Sequence, residues 1–194
     1  MLLYDDVEVL DVCGPYEVLT TASRVAARSG APAPFDVVLL AAEAGEVRTR
    51  PGMRLGVDVP LEEAPPLDLL LVPGGVTDAV ERDERVVGWL RGRPAPLVAS
   101  VCTGAFLLAE AGLVVDERVT THWEDVAELR RRHPRLDVVD DVRWVRDGDT
   151  WTSAGISAGT DLALHLVETY AGRALAEATA RQMDYRWADG PGPG

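Results

Sequence analysis

"APLVASVCTGAFLLAEAGL", Ala95 to Leu113, changes its hydrophobic period midway, and that change decides the fold. From Ala95 to Cys102 the residues are almost continuously apolar, small or β-branched, the composition of a strand covered on both faces. From Thr103 onward apolar residues recur at helical spacing, and Gly112 supplies a helix-closing residue. The chain therefore passes from strand to helix through Val101-Cys102-Thr103-Gly104. That is the layout of a nucleophile elbow, a tight turn that presents a reactive side chain between strand and helix. Exposed amides and the positive end of the helix predict a lowered thiol pKa for Cys102. A space-filling cysteine at the end of a core strand accounts for the layout equally well.

Outward from this stretch, strands and helices alternate. Phe35–Glu43 and Leu67–Gly75 read as further buried strands, the second stopped by Pro73 and two glycines. Asp78–Arg93 has helical spacing, with Val80, Val87 and Leu90 on one side. Leu136–Gly155 reads as a hairpin around the turn "RDGD", and Ser157–Met183 as one long or two consecutive helices. The expected class is α/β: a mostly parallel sheet flanked by helices on both faces, a flavodoxin-like sandwich carrying the elbow. In such sheets ligands bind at the carboxyl ends of strands, where both "VPGGVTD" and "SVCTG" fall. One domain is expected over residues 1–187, with a Gly/Pro-rich flexible tail over 188–194.

Bulk properties narrow the function. At 194 residues the chain buries a sizeable core unaided. Its formal net charge of −13 argues against nucleic acid, which needs a basic patch to displace counterions. The one basic cluster, "LRRRHPR" (Leu129 to Arg135), reads as a solvated helix end. No signal peptide or bilayer-length apolar run is evident, so no membrane association and a cytoplasmic location are expected. Two cysteines are too few for a disulfide scaffold, and the three histidines show no metal-ligand spacing. No metal or cofactor is expected, and no phosphate-binding glycine motif occurs.

Two further motifs carry chemistry. In "LDVCGPYEVL" (Leu10 to Leu19), Asp11 follows an apolar run and "CGP" leads into a helix with Pro15 near its first turn. Asp11 either caps that helix or, if the first strand is central, reaches the sheet edge that holds Cys102. Gly74 and Gly75 offer amides to a ligand, as an oxyanion hole requires, or form a plain turn.

These pieces, with "VTTHW" (Val119 to Trp123) and "SAGISAGTD" (Ser153 to Asp161), make the sequence resemble the ThiJ/PfpI superfamily, and within it the isonitrile hydratases. The resemblance runs from Met1 to about Tyr185. It implies Cys102 as nucleophile and Asp11 as acid/base, in place of the glutamate that most of the superfamily carries. It implies an oxyanion-type pocket from the amides of Gly75 and Thr103 and a substrate wall that includes Ile156. Hydratases often have a triple glycine before that isoleucine; Ser153-Ala154-Gly155 implies a narrower pocket. His122 matches a position near the cysteine that hydratases do not use as the base. The implied reaction is cofactor-free addition of water to a small-molecule isocyanide by a homodimer.

The resemblance also implies a longer first strand than Met1 allows. Similar stretches occur in AraC-type regulators as a sensor domain, so a non-catalytic ligand-binding role stays open. Glyoxalase, deglycase or peptidase-like chemistry stays open too, though relatives of those kinds use the glutamate. Cys13, two residues from Asp11, is a candidate to resolve an oxidised Cys102, or simply a small residue at a turn.

Overall fold

The computed structural model describes residues 1–92, 94–188, 190 and 192. In chain order its elements begin with α1 (Val9–Arg28), β1 (Leu40–Ala41), β2 (Gly45–Arg48), β3 (Arg54–Val57), β4 (Val59–Pro60) and β5 (Leu69–Val72). They continue with α2 (Glu84–Arg91), β6 (Leu97–Val101), α3 (Gly104–Glu110), β7 (Arg118–Val119), α4 (Val126–Arg132) and β8 (Asp137–Val138). Last come β9 (Trp144–Asp147), β10 (Thr150–Ser153), α5 (Ala158–Ala171) and α6 (Arg173–Gln182).

β6 lies at the heart of the sheet. It runs parallel to β5 on one side and to β10 on the other, and β9 closes the edge antiparallel to β10. Every residue of β6 is buried, so both of its faces need cover. α3 supplies one cover and α5 the other, where the Val101 side chain sits against Gly159. This is the flavodoxin-like α/β sandwich expected from the apolar run. The chain start extends the sheet beyond β5: the Leu2 amide donates to Leu71 O at 3.0 Å and the Leu3 amide to Leu40 O at 2.6 Å. Residues 1–4 thus thread the middle of the sheet and deliver α1 to the end of β5.

A second apolar cluster binds α1, α5 and α6 to one another through Val18, Leu19, Leu164, Val167, Ala176 and Ala180. The N-terminal turn of α5 is locked by Asp161, which is fully buried. Arg143 grips its Oδ2 through both Nε (2.6 Å) and Nη2, and the Ala188 amide donates to Oδ1 at 3.0 Å. The Arg143 amide in turn donates to Gly192 O, so the end of the chain is tied to this ion pair. Of the tail expected over 188–194, positions 189, 191, 193 and 194 lie outside the described residues.

Several local expectations change. The strand expected over Phe35–Glu43 shrinks to Leu40–Ala41, the pair that is in ladder register with β4. The Leu136–Gly155 hairpin pairs only as β9 with β10; β8 pairs in parallel with β7 instead. Asp78–Arg93 splits into a 3-10 turn at Val80–Arg82 and α2, because Asp83 caps α2 by accepting from the Arg85 amide; position 93 lies outside the described residues. Val80, Val87 and Leu90 are buried, as their spacing predicts. The long C-terminal stretch resolves into α5 and α6, broken at Gly172 with φ +90°. Unforeseen is the β2–β3 hairpin, whose turn carries Arg50 to the carboxyl edge of the sheet, where its amide donates to Val7 O.

Candidate active site

Cys102 occupies the elbow between β6 and α3 with φ +56°, a left-handed conformation that a non-glycine residue holds only under constraint. Three contacts impose it. The Cys102 amide donates to Ser153 O at 3.1 Å, and the Thr121 hydroxyl donates to Cys102 O at 2.8 Å. Gly104 then lets α3 start directly against the end of β5, since a Cβ there would strike the Val72 carbonyl. Such backbone strain costs about 1–3 kcal/mol and persists only where its surroundings over-determine it.

Asp11 lies in the first turn of α1 and is fully buried. It does not cap the helix. Glu8 does, accepting from the Val9 amide at 3.2 Å, so Asp11 is free to face inward and Pro15 lies well inside the helix. The Gly74 amide donates to Asp11 Oδ2 at 3.1 Å, and the Cys102 thiol is close enough to the carboxyl to influence its titration. Oδ1 has no hydrogen-bond partner of good geometry among the described residues. Burial, helped by the negative charge of Glu8, pushes this carboxyl up to about 7 against the pull of the Gly74 amide.

The thiol departs from expectation. Burial first, and the Asp11 carboxylate second, push Cys102 up to about 12, and the Thr103 amide only partly opposes them. The short α3 does not offset the loss of water around sulfur. Thiol and carboxyl therefore behave as one coupled acid pair, in which a proton leaving sulfur has Asp11 as its nearest acceptor.

The glycines after β5 are required sterically. A Cβ on Gly74 would lie 2.6 Å from the Thr103 amide and 2.8 Å from Cys102 Cβ. Gly75 holds φ +148°. Its amide donates to Thr103 Oγ1 at 2.8 Å, and the same hydroxyl donates back to Gly75 O at 2.9 Å. Of the two amides expected at an oxyanion pocket, that of Thr103 faces the sulfur and that of Gly75 is engaged by the Thr103 hydroxyl. Behind them Tyr4, which sequence reading missed, donates its hydroxyl to Pro73 O at 2.9 Å and fixes the turn from within the core.

Cys102, Thr103, Gly75, His122 and Ile156 line one cleft of about 490 Å³. Asp11 stands behind the thiol, beside the sulfur but not among the residues that line the cleft. Ile156 also has positive φ, +54°, which is severe for a β-branched residue, and it stays partly exposed at the rim. The His122 ring packs on Gly155, and its Nδ1 lies 3.6 Å from Asp125 and 3.7 Å from Glu124. Among the described residues it makes no hydrogen bond to Cys102 or Asp11. Cys13 is half-buried on another face of α1 and is not part of the cleft. Among the described residues no group of three or more His, Cys, Asp or Glu is arranged to hold a metal ion.

The cleft also contains residues that carried no motif. Arg132, read as part of a solvated helix end, is largely withdrawn from solvent and bridges Glu81 and Glu110, each at 2.5 Å. Arg50 enters from the β2–β3 turn. Only the tertiary fold brings either one to the site.

A family model for DJ-1/PfpI proteins matches residues 1–169. The chain belongs to the DJ-1/PfpI family. Among curated members and relatives of this family, the chain is similar to isonitrile hydratase of Pseudomonas putida. The two are 34% identical over 187 residues, covering 95% of the chain and 76% of that enzyme. It is also 34% identical to the HTH-type transcriptional regulator CdhR of Pseudomonas aeruginosa, over 75% of the chain but 44% of the regulator. Among solved structures, a ThiJ/PfpI family protein from Pseudomonas syringae superposes with TM-score 0.82. That pair is 26% identical, with 95% of the chain and 73% of the other protein covered. Among the described residues, no helix is long and apolar enough to cross a membrane.

Proposed function

We propose that this DJ-1/PfpI protein is a cofactor-free isonitrile hydratase. The observation that carries the proposal is the buried Asp11 carboxyl, titrating at about 7, set directly behind a thiol on a strained elbow. Asp11 takes the Cys102 proton as sulfur attacks and returns it to the terminal carbon of the isocyanide, giving a thioimidate, R–N=CH–S–Cys. Water then adds to that carbon while nitrogen gains a proton. Collapse of the adduct breaks the C–S bond, returns a proton to sulfur and releases R–NH–CHO. One isocyanide and one water are consumed per formamide, and the thiol–carboxyl pair ends as it began. A proton donor near neutrality suits both halves of the cycle. The 34% identity to the Pseudomonas putida enzyme supports the reading.

A second reading is a ligand sensor, supported by the similarity to CdhR and by a thiol held at about 12. Formamide production from p-nitrophenyl isocyanide separates the two. Turnover by the native protein, lost in Cys102→Ala and in Asp11→Asn, is the expected outcome. A folded native protein that binds small molecules at this cleft but converts no isocyanide overturns the enzyme reading.

A further inference from the structure

We propose that the Cys102 cleft selects substrates by charge, accepting molecules that are neutral or carry a cationic substituent and turning away those that carry a carboxylate or other anion. The inference rests on the reading of Cys102 as a nucleophile toward small molecules; it adds the substrate class.

The cleft wall holds five carboxylates, Glu8, Asp78, Glu124, Asp125 and Glu128, against two guanidiniums, Arg50 and Arg132. Both cations have carboxylate neighbours that offset their charge. Arg132 is committed to Glu81 and Glu110, which stand outside the wall, and Arg50 lies 3.7 Å from Glu8. Glu128 is bound by Arg131. What remains is Asp78, which has no ion pair among the described residues, and the pair Glu124 and Asp125. That pair faces only the His122 ring, with a longer-range attraction from Arg50 on Asp125. The Asp125 charge is felt at the Cys102 sulfur.

Behind the sulfur, fully buried Asp11 presents an unpartnered Oδ1. A ligand seated on the thiol thus meets negative potential from the mouth, and the ionised fraction of Asp11 adds to it from behind the sulfur. The chain's net charge of −13 extends that field into solvent. In a partly enclosed cleft such fields change local ligand concentration by roughly 10- to 1000-fold.

The test does not depend on isocyanide turnover. The native protein is treated with 2-aminoethyl and 2-sulfonatoethyl methanethiosulfonate, cation and anion of similar size. In each reaction the Cys102 sulfur attacks the reagent's sulfenyl sulfur, a disulfide forms, methanesulfinate leaves with the bonding pair, and the thiol proton passes to solvent. Peptide mass spectrometry follows Cys102 separately from Cys13, and each rate is divided by the reagent's rate with free 2-mercaptoethanol. The expected cation-to-anion ratio is about 30 or more at low salt. It should fall severalfold in 0.5 M salt, where the screening length is only a few ångströms. In the triple variant Asp78→Asn, Glu124→Gln, Asp125→Asn it should fall severalfold. A native ratio near one, a ratio indifferent to both salt and neutralisation, or no labelling by either reagent overturns the proposal; the salt series stands even if the triple variant does not fold.

Formamide assays with 3-(dimethylamino)propyl isocyanide and with isocyanoacetate then complete the test. Biased labelling without formamide from either substrate would sink the hydratase reading and leave charge selection standing. Equal turnover of the two substrates, with unbiased labelling, would do the reverse.

Discussion

Asp11 and Asp161 are both fully buried aspartates in the first turns of helices, and the fold treats them in opposite ways. Asp161 receives two guanidinium donors from Arg143 and an amide from Ala188, so both of its oxygens are answered. Asp11 receives one amide, from Gly74, and has a thiol beside it in place of a cation; the charge that acts on it is another carboxylate, Glu8. A buried carboxylate that is given a guanidinium becomes a tie, here joining α5, the segment before β9 and the chain end. One denied a cation is held near its point of titration, where it can both take and give a proton. The second arrangement sacrifices stability for chemistry, and the strained backbone at Cys102 beside it does the same.

The sharpest way to separate the two carboxylates begins with the nucleophile that only one of them serves. Cys102→Ala should lower isocyanide turnover by roughly 10⁴-fold or more, with the thermal midpoint little changed. Residual turnover near the native rate would move the chemistry away from the elbow.

Arg143→Ala should act on stability instead, because it leaves Asp161 charged and buried without its cation. The expected loss is about 3–5 kcal/mol in urea unfolding. A loss below about 1 kcal/mol would show that the Asp161 tie is ornamental and that the contrast with Asp11 fails.

Asp11→Asn should lose turnover by about 10²-fold or more and change stability in the direction opposite to that of Arg143→Ala. The sign follows from linkage. The folded carboxyl titrates at about 7, above its ordinary value near 3.8, so the unfolded chain ionises first. The native protein is therefore most stable below about pH 4 with respect to this group, loses stability as pH rises to about 7, and is flat beyond. Asp11→Asn should erase that slope, as urea midpoints at pH 5 and 8 will show. The native kcat/KM should rise with pH through about 7, as Asp11 becomes able to accept the thiol proton. A profile with no inflection there would remove Asp11 from the proton path.

The smallest effect is expected at His122. Since the ring touches Gly155 and faces Glu124 and Asp125 rather than Asp11, His122→Asn should change kcat/KM by less than about tenfold. A larger loss would make it a partner in the proton transfer.

The elbow is legible in the residues alone. A run apolar on both faces has to lie inside a covered sheet, and a glycine two residues after a cysteine permits the strand-to-helix approach that a Cβ at Gly104 would block. The two glycines after β5 and the burial of Val87 and Leu90 on one face of α2 are legible in the same way, because these depend on local sterics and short periodicity. Tertiary structure decided what no local pattern encodes. It set the length of the strand expected from Phe35, since a strand lasts only as long as its partner, and it placed Arg50 and Arg132 in the cleft from remote segments. It also decided the electrostatics of the pair. A helix end and a cysteine argue for a thiolate, but desolvation and a facing carboxylate depend on three-dimensional neighbours, and here they outweigh the helix and leave the proton on sulfur.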